Sequence, residues 1–306
     1  MPIHPTIQGM LDRIAGLPAM HTFTPEQIRA TDLARYASVP RPDVGHVEDR
    51  TIPGPRGEIK IRIYRPDMND GHPVMTFFHG SGFVICSIDT HDGLCRQICR
   101  RAKMVVVSVD YALAPENKFP AGVDDSLAAA RWVGANAASF GGDPSRHVVA
   151  GDSAGGTMAL VSVMRIRDEG GPPIKAQLLM YPVTDYPDPG KASYVERATG
   201  YGLSADAMRY FWGHYLADDA HRSHPHAAPL NAASFASLPA TYIMTAEYDP
   251  LRDEGEMLGE KLKAAGVDTT TIRYSDVNHG FISWIEIIDR SGEALDAACA
   301  WMGQKV

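Results

Sequence analysis

Gly151-Asp152-Ser153-Ala154-Gly155 lies directly after the apolar run His147-Val148-Val149-Ala150 and before Gly156-Thr157-Met158-Ala159-Leu160. A serine with glycine two residues away on each side suits a tight turn from a strand into a helix, where larger side chains would collide with neighbouring backbone. Such a turn lifts the Ser153 hydroxyl clear of its surroundings. It also aims the Ala154 N–H, at the positive end of a helix, toward negative charge forming beside the serine. Alone, the string also suits a small-residue turn without chemistry, so other segments must supply partners. Upstream, Phe77-Phe78-His79-Gly80-Ser81-Gly82-Phe83 continues an apolar run from Val74. Small residues there would let backbone amides approach an acyl oxygen that is becoming an oxyanion, although the loop by itself reads as an ordinary Gly-rich turn. Downstream, Asp249 follows the strand-like Thr241-Tyr242-Ile243-Met244-Thr245, and Asn278-His279-Gly280-Phe281 follows Thr270-Thr271-Ile272-Arg273-Tyr274. Ser153 needs a base beside it to become a nucleophile, and an imidazole needs a carboxylate to fix its tautomer. His279 is the candidate base, with a locally satisfied loop histidine as the plainer role. Among Asp249, Asp253 and Glu254 the first is favoured, because Pro250 at a first helical position leaves Asp249 in the loop and puts the others on the helix. A helix N-cap is the competing role for Asp249.

Taken together, these segments resemble the hormone-sensitive lipase family of α/β-hydrolase esterases, in the bacterial subgroup with aspartate before the nucleophile. The matching residues run along most of the chain: His79-Gly80-Ser81-Gly82-Phe83, Val109-Asp110-Tyr111-Ala112-Leu113-Ala114-Pro115-Glu116, Phe119-Pro120-Ala121, the turn at Ser153, Asp249-Pro250-Leu251-Arg252-Asp253 and His279-Gly280-Phe281. The resemblance implies a carboxylesterase with Ser153 as nucleophile, Asp249 and His279 as its partners, and an oxyanion hole from the amides of Ser81, Gly82 and Ala154. It implies an acyl-enzyme formed from short- to medium-chain esters, with no cofactor and no metal. An amidase or arylformamidase-type hydrolase and an acyltransferase use the same intermediate and stay open as alternatives. Some relatives that lack the histidine are small-molecule receptors, and the presence of His279 counts against that role. Two residues depart from the family pattern. Ser81 stands where the middle glycine of His-Gly-Gly-Gly is usual, and a Ser81→Gly variant with higher turnover would mark the serine as a handicap. Ala112 stands where arginine is usual, so an ion pair from that position is not expected.

The elements that must position these residues show as strand-like runs near 46–52, 58–65, 73–79, 103–109, 147–151, 175–181, 240–246 and 268–274, with helix-like stretches between most of them. The alternation predicts an α/β fold, a mostly parallel eight-stranded twisted sheet covered by helices on both faces. The two earliest strands are expected to be antiparallel through Pro53-Gly54-Pro55-Arg56-Gly57. Ligands bind such sheets beyond the carboxyl ends of the strands, where all the loops named above emerge. Residues 46–184 and 226–306 form the expected catalytic core. Residues 1–45, with Ile7, Met10, Leu11 and Ile14 at helical spacing, and 185–225, with Met208, Phe211, Trp212 and Tyr215 on one stripe, fall outside the alternation. The resemblance implies that both segments form a helical cap, with Phe83, Leu203, Met208 and Phe211 lining the substrate pocket; a stripe such as 208–215 equally suits plain packing.

A 306-residue chain with 44% hydrophobic residues can build one large core. Its formal net charge of −8, from 29 basic and 37 acidic residues without a basic cluster, excludes nucleic acid and anionic membrane as natural partners and suits a small neutral ester. No signal-type start or long apolar run is visible, which makes the cytoplasm the expected location, and the resemblance is compatible with a homodimer. Cys86, Cys95, Cys99 and Cys299 are expected as free thiols, with Cys95 and Cys99 packed on one helical face. His214, His221, His224 and His226 cluster in sequence, but no spacing among them matches a metal-ligand set.

Overall fold

Residues 1–36, 41–188 and 190–306 are described by a computed structural model. Its sheet contains β1 (His46–Gly54), β2 (Gly57–Arg65), β3 (His72–Phe78), β4 (Val105–Asp110), β5 (Gly142–Asp152), β6 (Ala176–Met180), β7 (Ala240–Tyr248) and β8 (Thr269–Asn278), in the spatial order β1-β2-β4-β3-β5-β6-β7-β8. The reversal of direction is confined to β2, which runs antiparallel to β1 and also to β4, while every other neighbouring pair is parallel. The second antiparallel junction goes beyond the sequence expectation, which reached only the β1–β2 hairpin.

Strand alternation explains why the sheet needs cover on both sides. Val105, Val107 and Val109 enter one buried layer and Val106 the other, all with no exposure. The first layer is closed by α4 (Ala121–Asn136), α5 (Ala154–Glu169) and α8 (Arg252–Ala264), the second by α3 (Asp92–Ala102) and α9 (Asp289–Gly303). Cys95 and Cys99 pack into the second layer from α3, and all four cysteines are free.

Strand ends differ from the sequence reading for local reasons. Lys103 adopts φ 53°, ψ 41° and stops α3, so β4 starts at Val105 rather than at 103. A register shift between Pro73 and Val74 lets β5 begin at Gly142, five residues before the apolar run. Ala112 forms no ion pair; its N–H instead donates to Asp125 at 3.0 Å, and Arg56 from the β1–β2 turn reaches the same carboxylate at 2.6 Å.

Outside the alternation stand α1 (Pro5–Ile14), α2 (Pro25–Tyr36), α6 (Ala192–Glu196) and α7 (Ala205–Tyr215). On α1, Ile7 and Leu11 are buried and Ile14 is exposed. Arg29 on α2 hydrogen-bonds Glu116 at 2.6 Å and the Val84 carbonyl at 2.7 Å, which fastens this helix to the core. That guanidinium holds the Glu116 carboxyl at about 2. Residues 37–40 and 189, inside the expected segments 1–45 and 185–225, lie outside the described residues. Among the described residues no helix is long and apolar enough to cross a membrane.

Candidate active site

Ser153 sits between the end of β5 and the start of α5 with φ 53° and ψ −122°, a backbone conformation that non-glycine residues adopt only when the surroundings enforce it. The enforcement is visible in the neighbours. A Cβ on Gly151 would overlap the Gly155 carbonyl, and one on Gly155 would overlap the Phe78 carbonyl. The Ser153 N–H donates to the Met180 carbonyl at 2.9 Å, and the Ser153 carbonyl accepts from Val183 at 3.0 Å. Pinned on both sides, the hydroxyl meets the imidazole of His279, with Oγ and Nε2 at 3.0 Å. The other ring nitrogen lies 2.7 Å from Asp249 Oδ2. The edge of the Tyr181 ring packs against His279 at a centroid distance of 4.8 Å.

Asp249 is fully buried, and its Oδ1 accepts the Leu251 N–H at 2.9 Å. One carboxylate thus serves both roles weighed from the sequence, closing the turn before the helix and facing the imidazole. The helix starts at Arg252, so Pro250 lies in that turn and not at a first helical position. Asp253 and Glu254 are engaged elsewhere. Asp253 accepts the Ser193 N–H at 2.7 Å and Arg252 Nε at 2.8 Å, while Glu254 Oε1 accepts the Thr184 N–H at 2.7 Å.

On the loop after β3, positive φ falls on Gly82 (52°) and Phe83 (69°) and not on Ser81. Ser81 therefore occupies its place in the loop without left-handed strain. Its hydroxyl faces the protein: Oγ accepts the Phe83 N–H at 2.8 Å and lies 2.7 Å from the Tyr111 hydroxyl, which donates to the His79 carbonyl at 2.7 Å. Since the Tyr111 hydrogen is used on His79, Ser81 is the donor to Tyr111. The amides of Ser81 and Gly82 make no hydrogen bond among the described residues. Ala154 opens α5, where a backbone N–H has no intrahelical acceptor.

Ser153, Ser81, Gly82 and His279 border a cleft of about 620 Å³. Leu203, Met208 and Phe211 border it too, and the Phe211 ring occupies the space where a Cβ on Gly82 would be. Phe83 does not. Its ring stacks on Tyr215 at 3.9 Å and meets Trp212 edge-on at 5.5 Å, so it belongs to the buried aromatic layer beneath the wall. The 208–215 stripe is divided accordingly: Met208 and Phe211 reach the cleft, and Trp212 and Tyr215 pack. The opposite wall comes from Ile7, Met10, Leu11 and Ile14, the periodic positions of α1. Sequence reasoning missed His91 and Asp152 as cleft residues; Asp152 adjoins the serine, but no local pattern marks His91.

His221, His224 and His226 gather near Phe119, each neighbouring ring pair 5.1 to 6.0 Å apart. Burial holds His224 and His226 below the usual imidazole range. Among the described residues no group of histidine, cysteine and acidic side chains is placed to hold a metal ion.

Known proteins share this fold. The alpha/beta hydrolase fold family matches residues 75–283. The esterase LipI of Mycobacterium tuberculosis is 43% identical over 268 residues, covering 85% of this chain and 83% of its own length. The carboxylesterase NlhH of the same organism is 42% identical over 254 residues, with 81% and 79% covered. Among solved structures, the hyperthermophilic esterase of Pyrobaculum calidifontis superposes with a TM-score of 0.94 at 38% identity, covering 99% of both chains. A thermostable esterase from Pseudomonas putida gives 0.95 at 33% identity, covering 99% of this chain and 98% of its own. Matched along most of its length in sequence and fold, the chain belongs to the α/β-hydrolase fold family, in the hormone-sensitive lipase branch of carboxylesterases.

Proposed function

We propose that this chain hydrolyses short- to medium-chain carboxylic esters in two steps through an acyl-enzyme on Ser153. The observation that carries the reading is the relay in which Ser153 Oγ lies 3.0 Å from His279 Nε2 and His279 Nδ1 lies 2.7 Å from Asp249 Oδ2. His279 takes the hydroxyl proton as Oγ attacks the ester carbonyl carbon. Asp249 accepts the Nδ1–H, fixes the tautomer and balances the imidazolium. The carbonyl oxygen becomes an oxyanion and is received by the amides of Ser81, Gly82 and Ala154, which favour it over the ground-state carbonyl. Nε2 then returns its proton to the leaving alcohol. In the second step a water, deprotonated by His279, attacks the acyl-enzyme, and the acid leaves as the proton goes back to Ser153. Only acyl and proton transfers occur, and these side chains complete both.

The cleft volume of about 620 Å³ suits a small ester. The described parts of 1–45 and 185–225, the two segments outside the sheet alternation, act as a cap that excludes water and shapes the pocket. The esterase and carboxylesterase names of the relatives are consistent with this reading. Ser153→Ala is expected to abolish hydrolysis of a short-chain aryl ester while its circular dichroism and urea midpoint remain near those of the parent. Retained turnover in that variant would remove the mechanism.

A further inference from the structure

Directly behind Ser153 lie two ionisable side chains that the reaction above leaves unused. Asp152 and His91 are both buried and both border the cleft. His91 Nε2 is 3.3 Å from Asp152 Oδ1, and that oxygen also accepts the Gly80 N–H at 2.7 Å. On the far side of the ring, Nδ1 lies 2.9 Å from Thr90 Oγ1. The single hydroxyl hydrogen of Thr90 goes to the Ser87 carbonyl at 2.8 Å, so toward His91 the hydroxyl can only accept. Nδ1 therefore carries a hydrogen. Nε2 faces the Asp152 carboxylate, so the ring bridges Thr90 and Asp152.

We propose that the His91–Asp152 pair positions the oxyanion loop against the nucleophile turn. Asp152 precedes Ser153 in the chain and grips Gly80, which precedes Ser81, so a single carboxylate fixes the distance between the two sources of amide donors. Burial pushes the Asp152 carboxyl up, but the His91 charge, its hydrogen bond and the Gly80 amide outweigh that and hold it below its ordinary range. Without the His91 side chain, the Asp152 negative charge is buried unpaired beside the place where the oxyanion forms. Like charges in so dry a place repel strongly, and the oxyanion is disfavoured.

The titratable groups facing the pair are few. The Tyr36 ring of α2 stacks on His91 at 6.0 Å, and His79 after β3 lies 5.5 Å away. Burial keeps His79 neutral, pushed down to about 3. Cys95 of α3 and Tyr181 after β6 also face Asp152, and burial pushes both up, away from ionisation.

This inference rests on the ester-hydrolase reading and is tested apart from it. The full chain and its His91→Gln, Asp152→Asn and double variants are assayed on p-nitrophenyl butyrate from neutral to alkaline pH, with rates normalised to the fraction labelled by a fluorophosphonate. Each single variant is expected to lose about tenfold or more in kcat with KM changed less than about threefold, short of the loss from deleting an oxyanion donor itself. The double variant, which leaves no unpaired buried carboxylate, is expected to recover part of the His91→Gln loss. Thr90→Val, which removes the partner of His91 Nδ1 together with the hydroxyl's bonds to the Ser87 carbonyl and amide, is expected to fold and to lower kcat by less than His91→Gln does. Parental kcat in the single variants, or additive losses in the double, overturn the proposal. A dead Ser153→Ala alongside them leaves the hydrolase reading intact, whereas an active Ser153→Ala removes both.

Discussion

The hydroxyl of Ser81 is directed into the protein, where it joins the Phe83 amide, Tyr111 and the His79 carbonyl into one brace under the loop. Ser81→Gly removes that brace, leaves a buried N–H without its acceptor and adds backbone freedom to the unfolded chain. The expected outcome is a loss of about 1–3 kcal/mol of stability, read by urea denaturation, together with lower kcat on every ester. A rise in turnover would show the serine to be a handicap. At this scale Ser153, Asp249 and His279 were legible because each sits in a short motif just past a strand end, and the chain order limits the pairings. The inward turn of Ser81 was not, since it depends on Tyr111, thirty residues away in the chain. His91 was hidden for the same reason: a histidine becomes informative only when its two ring nitrogens have partners to count.

Glu254 shows how one side chain couples two elements. From the first turn of α8 it accepts amides of Thr184 and Asp185 in the loop after β6, and Thr184 Oγ1 donates back to its carbonyl. Complete burial pushes its carboxyl up to about 8, against the lowering effect of those amides. The folded state thus keeps a proton that the unfolded chain releases near the ordinary glutamate value of about 4.5, so stability falls as pH rises from there toward about 8. Glu254→Gln keeps the amide contacts through its carbonyl and cannot titrate. Its stability, followed by urea denaturation across that window, is expected to lack a slope that in the parent reaches at most about 1.4 kcal/mol per pH unit. Identical slopes in the two proteins would refute the assignment. The elements themselves were largely readable, because runs such as Val105-Val106-Val107 suit only strands buried on both faces. The extra antiparallel junction of β2 was not, as it follows from which strand lies beside β4 and no local pattern encodes that. Nor was the fate of Phe83, whose ring is claimed by Tyr215 and Trp212 from a distant helix.

Across the whole molecule, the cleft is bordered by α1 and α7 and by the loops that follow β3, β5 and β8. Phe211 closes it nearest the oxyanion loop. Phe211→Leu is expected to widen that end and to raise the kcat/KM ratio for hexanoate over acetate esters by several-fold, since each added methylene in an apolar pocket is worth about 1–3 kcal/mol. An unchanged ratio would place the chain-length limit elsewhere. The wall on the α1 side depends on parts of the polypeptide that are far apart in order. The His4 N–H donates to the Asp276 carbonyl at 2.7 Å, and Ile7 and Leu11 pack in the same layer as Val277 and Phe281. A ribosome releases residues 4 to 11 long before residue 276, so during synthesis this greasy stretch has no seat and must wait, shielded by chaperones or by transient contacts, until nearly the whole polypeptide has emerged. Ser153 is likewise synthesised before His279 and before the seat of α1, so on the reading proposed above a chain still short of residue 279 has the serine without its base.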